Sequence, residues 1–302
     1  MLNRLFLILM ISLVPLLCSI NYKYEDINLN GKWDPFENLL KSSPSDKYIT
    51  IGGAITEVVF SLGFGNSVIA VDQSSTMPER VQDLPDVGYI RMISSEKILS
   101  KFPNKIFTST SMSPKIAVEQ LKASPLEFMM YDAPKNIDHT MILIDKISED
   151  LGVVNLGSIL KNSMLKQINL IQGIKDTFDT NPQIVFFMNP KSGSYVAAGD
   201  GTVADYLIEF IGGENIFSQE FNSYQKVSEE SILIKNPDII LVAAHNSEND
   251  VSSFFHNNEN FQNLKSVKKD NIIEIKMSDL TMGTSFPENA LKILKRFNFN
   301  AE

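Results

Sequence analysis

Glu96-Lys97-Ile98-Leu99-Ser100-Lys101-Phe102-Pro103-Asn104-Lys105-Ile106-Phe107 returns later in the chain as Glu230-Ser231-Ile232-Leu233-Ile234-Lys235-Asn236-Pro237-Asp238-Ile239-Ile240-Leu241. Glu, Ile, Leu, Lys and Pro recur at a constant offset of 134 residues. Each copy reads as a short helix, a turn marked by proline and an apolar strand. Further upstream, a helix ending at Leu62-Gly63 resembles one ending at Ile211-Gly212, at an offset of 149. Glycine closes a helix where a left-handed residue is needed. The two offsets differ by 15 residues, so the first copy is longer, and the surplus falls within Asp72 to Arg91. The pattern predicts two related lobes, with an insertion in the first, where function tends to be grafted.

Working outward from the repeat, short strands and helices alternate through both lobes, which predicts parallel βαβ units. In the first lobe, strands are expected at Tyr48 to Ile51, Ser67 to Val71, Lys105 to Thr108 and Phe128 to Tyr131. Helices open near Ile55, at Ser94-Ser95-Glu96 and at Ser113-Pro114. From Ile137 to about Asp176 the periodicity is helical, with Ile137, Met141, Ile144 and Ile147 on one stripe and Leu160, Met164, Ile168 and Ile171 on another. Gly152 and Gly157 are the candidate dividers, and the second piece reads as one long helix of roughly 20 residues. The second lobe offers strands at Gln183 to Met188, Tyr195 to Ala198, Ile239 to Ala243 and Ile272 to Ile275, with helices over Thr202 to Ile211 and Pro287 to Phe297. The expected organisation is a signal peptide over 1–19, a linker over 20–46, an N-terminal α/β lobe over 47–135, a helical connection over 136–180 and a C-terminal α/β lobe over 181–302.

The inserted segment carries Leu84-Pro85-Asp86-Val87-Gly88-Tyr89-Ile90-Arg91. Phenolate oxygen is an axial ligand of haem iron, which makes Tyr89 a candidate ligand. Arg91 is placed to stabilise that charge or to hold an anionic group. The chain has four arginines, and Arg80 and Arg91 both fall in this segment. A half-buried loop tyrosine with a satisfied hydroxyl would have the same local sequence.

Composition narrows the remaining classes. The 302 residues are 43% hydrophobic, enough for one large core or two medium ones. A formal charge of −9 without any basic block argues against a nucleic-acid partner. Arg4 followed by the apolar run Leu5 to Leu17 reads as an export signal. Cys18, the single cysteine, sits where a lipoprotein carries its anchored residue, although Leu17 fits that signal poorly. Removing the signal leaves a domain without disulfides. The stretch Asp26-Ile27-Asn28-Leu29-Asn30-Gly31-Lys32-Trp33-Asp34-Pro35-Phe36-Glu37 matches the calcium-loop pattern, with Asp26, Asn28, Asn30, Asp34 and Glu37 as oxygen donors. No amphipathic helix precedes it and Pro35 lies inside it, which suits a solvated linker turn as well.

An enzyme would need other signals. Gly199-Asp200-Gly201-Thr202-Val203-Ala204 fits the dinucleotide fingerprint, but no strand ending in an acidic residue follows at the required distance. His139, His245 and His256 lack metal-ligand spacing, and no nucleophile elbow is present. An exported nucleotide-dependent enzyme is therefore the remote alternative.

With these residues in view, the chain resembles the haem-binding substrate-binding proteins of bacterial ABC importers, in the cluster that also holds cobalamin and iron-siderophore binders. The resemblance rests on Ile51-Gly52-Gly53-Ala54-Ile55-Thr56-Glu57, on Leu84 to Arg91, and on Ala198-Gly199-Asp200-Gly201-Thr202-Val203-Ala204-Asp205, and covers about Lys47 to Phe297. It implies a class III periplasmic binding protein: two Rossmann-like lobes with parallel sheets, joined by a long rigid helix, monomeric and in the periplasm. It implies haem as the transported ligand, with Tyr89 on the iron and Arg91 as its charge partner; Arg80, in the same inserted segment, is taken as a further haem-binding residue. It also implies docking of one acidic residue per lobe, Glu96 and Glu230, on a permease dimer with its ATPase. A carboxylate in a first helical turn is explained by the helix dipole too. Cobalamin or an iron-siderophore is the alternative ligand. Some members add a histidine from the second lobe, and His245 is the candidate here.

Overall fold

The computed structural model describes residues 46–191, 194–243 and 251–297. The signal-like segment with Cys18, the Asp26 to Glu37 loop, the Ser42 to Ser45 boundary and His245 lie outside the described residues.

In the first lobe the chain forms β1 (Tyr48–Ile51), α1 (Gly53–Val59), β2 (Val68–Val71), α2 (Ser95–Leu99), β3 (Lys105–Ser109), α3 (Lys115–Lys122) and β4 (Glu127–Tyr131). The four strands build a wholly parallel sheet in the order β2-β1-β3-β4. Two helices follow, α4 (Ile137–Asp150) and α5 (Val154–Lys175), the latter 22 residues long. Gly152, with φ 71°, separates them, whereas Gly157 lies inside α5. The second lobe holds β5 (Gln183–Lys191), β6 (Ser194–Ala198), α6 (Val203–Phe210), β7 (Glu214–Asn215), β8 (Tyr224–Val227), α7 (Glu229–Lys235) and β9 (Ile239–Ala243). Then come α8 (Val251–His256), α9 (Lys265–Lys268), β10 (Ile272–Ile275) and finally α10 (Phe286–Leu294).

The second sheet departs from the all-parallel expectation. Its order is β10-β9-β5-β6-β8, with β7 also paired to β5, and β6 and β8 run antiparallel to their neighbours. The chain turns back after β5 into an adjacent hairpin strand before reaching its helix. β8 escaped the sequence reading because it is a polar edge strand, with Gln225 and Lys226 exposed.

The duplication is physical. β3 and β9 begin and end 134 residues apart, and so do Ser94 and Ser228, which cap α2 and α7 by accepting from the backbone N–H of Lys97 and Ser231. Phe102 and Asn236, again 134 apart, both take the left-handed conformation, with φ 52° and 44°. Asn104 Oδ1 accepts from Lys47 N at 3.0 Å, and Asp238 Oδ2 accepts from Gln183 N at 2.9 Å, so each copy pins the start of its central strand alike. The helix-ending glycines, Gly63 and Gly212, have φ of 90° and 84°.

One apolar cluster runs through both lobes. It joins Ile55, Phe107, Ile144, Met164, Phe186, Ile239 and Ile293, so that α1, α4, α5 and α10 form a helical layer between the sheets. Each sheet keeps a separate cluster on its other face. Strands covered on both sides read as unbroken apolar runs, as Ile239–Ala243 does. The lobes are connected twice. The α4–α5 pair makes the first crossing, and after β10 the chain returns over 276–285 to the first lobe, where α10 packs on α5. Thr140 Oγ1 donates to the Met282 carbonyl at 2.9 Å, and Ser61 bonds Thr284 at 2.9 Å, fixing that return.

Candidate functional site

A cleft of about 270 Å³ opens where β1 and β3 end. Its first-lobe wall includes Gly52, Gly53, Tyr89, Arg91 and Ser109, and it is faced by Val203 from α6 and by Thr281 and Met282 from the returning segment. Ligands of open α/β sheets bind outside the carboxyl ends of the strands, and this cleft occupies that place in the first lobe.

The segment bearing Tyr89 is held by main-chain bonds on both sides. Val87 N donates to the Val71 carbonyl at 2.8 Å, Val71 N to the Pro85 carbonyl at 3.0 Å, and Gln73 N to the Gly88 carbonyl at 3.0 Å. On the far side, Ser113 N donates to the Ile90 carbonyl and Ile93 N to the Ser113 carbonyl, both at 3.0 Å. Val87, Ile90 and Ile93 turn inward at every third residue and are buried in the outer cluster of the first lobe. That spacing leaves Tyr89 and Arg91 outward. Gly88 supplies φ 109°, which an L side chain rarely adopts. Tyr89 is 42% exposed, and its hydroxyl is bonded to no other described residue. A rigid frame therefore presents an unspent phenol oxygen to the cleft, beside a guanidinium with a permanent charge.

Asp72 was not singled out in the sequence, yet it organises the neighbouring turn. It is fully buried, and its carboxylate accepts from Gly52 N at 2.8 Å, Ser74 Oγ at 2.6 Å and Ser75 Oγ at 2.7 Å. A Cβ on Gly53 would stand 2.8 Å from the Ser74 carbonyl oxygen, so the turn needs glycine there. The visible signal was the run Asp72-Gln73-Ser74-Ser75, an acceptor followed by short donors.

The other expected residues are placed as follows. Arg80 does not line the cleft; its guanidinium donates to Asn66 Oδ1 at 3.2 Å, because the turn Glu79–Asp83 carries it away from the strand ends. Glu96 and Glu230 are both exposed, each in the first turn of its repeated helix. Glu229, next to Glu230, is instead spent internally, accepting from Tyr195 Oη at 2.8 Å and Asn260 Nδ2 at 2.8 Å. His139 lies in the first turn of α4, and His256 bonds Ser252 at the end of α8. The Gly199–Ala204 stretch follows antiparallel β6, not the parallel strand a dinucleotide site requires. Gly199 is needed there because the Phe221 backbone and ring press against it.

Behind the cleft floor, Glu57 is 3% exposed and ties the returning segment to α1. Ser285 donates to its Oε2 twice, from N at 3.0 Å and Oγ at 2.7 Å. Burial pushes the carboxyl up to about 7, only partly opposed by the Ser285 bonds. An acid that holds its proton more tightly when folded stabilises the fold fully below its unfolded value of 4.5, and that contribution fades as pH rises toward 7. Ionisation then costs on the order of 3 kcal/mol, at about 1.4 kcal/mol per pH unit. Thermal melting across pH 5 to 8 should therefore show Glu57→Gln gaining steadily on the parent and surpassing it by several degrees above pH 7. Parallel curves across that range would refute the burial argument.

Comparison with known proteins gives a consistent picture. The model of the family described as periplasmic binding protein matches residues 49–278. The vitamin B12-binding protein of Vibrio campbellii is 22% identical over 209 residues, spanning 69% of this chain and 74% of that protein. Among solved structures, the periplasmic heme-binding protein RhuT from Roseiflexus sp. RS-1 in apo form superposes with a TM-score of 0.75 at 24% identity, covering 84% of this chain and 98% of that one. The periplasmic heme-binding protein HutB of Vibrio cholerae gives a TM-score of 0.73 at 25% identity, covering 83% and 98%.

Proposed function

The chain belongs to the periplasmic binding protein family, and from that premise we propose that it captures haem between its lobes and delivers it to an ABC importer. Such proteins bind and hand over without catalysing a reaction, and the periplasm is the place of action. The haem and vitamin B12 relatives are equally compatible with the fold, and the choice between them rests on the site.

One observation carries the choice of haem: Tyr89, anchored through its backbone and free at its oxygen, lines the cleft beside Arg91. Ferric iron in a porphyrin keeps axial positions open, and a phenolate is a hard anionic donor suited to it. Arg91 offsets the charge that the phenolate acquires. A corrin or a siderophore chelate arrives with its metal already saturated and has no use for that oxygen. Glu96 and Glu230 are the proposed contacts to the two halves of the permease, since both copies of the repeat leave the same residue exposed at the same place.

Parallel titrations of the purified protein with hemin and with cyanocobalamin test the ligand. The expected result is a saturable Soret shift with hemin at one-to-one stoichiometry or higher, and no saturable change with cyanocobalamin at the same concentrations. Saturation by cyanocobalamin alone would replace haem as the ligand.

A further inference from the structure

A second and larger cavity, about 540 Å³, adjoins the tyrosine cleft in the first lobe. The two share Ser111 and Ala133 in their walls, so a ligand seated at Tyr89 has this space beside it. One wall is a stripe of α4: His139, Ile142, Leu143 and Lys146, at the i, i+3, i+4, i+7 spacing of a single helical face. The middle of the stripe is apolar, and Ile142 is left 50% exposed to the cavity. Both ends of the stripe are cationic or proton-donating. Lys146 stands at one end, and Lys135 with His139 at the other, roughly 10 Å away at 1.5 Å of rise per residue. Neither lysine forms an ion pair with any described residue, although the chain as a whole carries a formal charge of −9. His139 Nδ1 accepts from Lys135 N at 3.4 Å, which leaves Nε2 as the nitrogen that donates. Asp132 is the one carboxylate in this lining, and Thr110 Oγ1 donates to it at 3.4 Å.

An apolar strip bounded at each end by unpaired cations matches an amphipathic ligand with a flat hydrocarbon body and two separated carboxylates. We infer that this annex receives the dicarboxylate edge of the ligand, and that Lys135 and Lys146 set the preference for an acid-bearing macrocycle over one whose arms are neutral amides. The inference rests on the haem reading of the neighbouring cleft and adds to it the chemical class of the ligand's periphery. Charge-assisted contacts from ammonium to carboxylate survive in a partly open site, whereas amide arms offer both lysines only neutral carbonyl acceptors and a weaker bond.

The test uses the full-length protein, hemin and hemin dimethyl ester, in which both carboxylates are masked. The parent should bind hemin about tenfold or more tightly than the ester, the range expected for one or two charge-assisted contacts. In Lys135→Gln/Lys146→Gln that preference should vanish through loss of hemin affinity, with ester binding and the Tyr89-dependent spectrum unchanged. Both lysines are exposed, so the substitutions should leave the melting temperature alone. If the double variant keeps the parent's preference, the annex is not the carboxylate subsite even though haem binds. If the parent binds neither hemin nor the ester, the haem reading and this inference fall together.

Discussion

Tyr89→Phe is expected to abolish the ferric phenolate signature of the hemin complex. It should also weaken binding by more than the 10–100-fold typical of losing a group that merely orients a metal ligand. The substitution removes one oxygen atom and nothing of the frame. Tyr89 is held through its own carbonyl, which accepts from Met92 N at 2.7 Å, and through the flanking bonds to Val71, Gln73 and Ser113. Its side chain is 42% exposed, so the core does not depend on it. The variant should melt within about 0.5 kcal/mol of the parent. Residual binding should persist, because a porphyrin's apolar surface remains worth ~25 cal/mol for every Å² buried. A variant that keeps the parent's ferric spectrum would show that Tyr89 is not on the iron, and the search for an axial ligand would move to the second lobe.

The second large effect is expected in transport. Glu96→Lys combined with Glu230→Lys should reduce ligand-dependent uptake to background while leaving the binding titration unchanged. Both carboxylates are exposed in the first turn of capped helices, at positions that the repeat makes equivalent. A permease with two equivalent halves can receive the same contact twice. Contacts of this kind act on encounter and register and are screened by salt, so each single reversal should give a partial defect whose size relative to the parent shrinks as salt is raised. The competing account makes these glutamates partners of the helix dipole only. It predicts a loss of about 0.3–1 kcal/mol of stability per site and normal uptake. Uptake into vesicles, measured alongside melting curves, separates the two.

Much of this architecture was legible because the duplicated segments use local chemistry. Serine caps before α2 and α7, prolines after them and apolar runs at β3 and β9 each signal their own structure within a few residues, and the constant offset ties them together. Phe102 is the exception within the repeat. Asn236 suits the left-handed conformation, whereas a phenylalanine at φ 52° that is also 79% exposed follows no local preference. Tyr89 and Arg91 could be picked out because the insertion isolates them.

What could not be read depends on distant partners. Thr281 and Met282 enter the cleft only because the chain returns to the first lobe, and nothing in their sequence announces it. Glu57 lay within a recognised motif, yet its bond to Ser285 spans 228 residues. Arg80 shows the converse failure: residue type and neighbourhood suggested a ligand contact, and a turn of the backbone sent it to Asn66. The strand at β6 was legible but not its antiparallel direction, which is set by pairing partners rather than by local sequence, and β8 was missed because a polar edge strand lacks the apolar period that marks its neighbours.

The two passages between the lobes have a mechanical consequence. A body hung on one strap can swivel, tilt and twist; one hung on two, set apart along the seam, keeps a single easy axis, the line through both attachments. The α4–α5 pair and the 276–285 return are those attachments, and Glu57 clamps the second of them next to the cleft. Rocking about that line would narrow or widen the mouth and change the separation of Glu96 and Glu230 in step. Under the proposed docking on Glu96 and Glu230, the spacing of the two carboxylates would tell a partner that touches only the outside whether the cleft is filled.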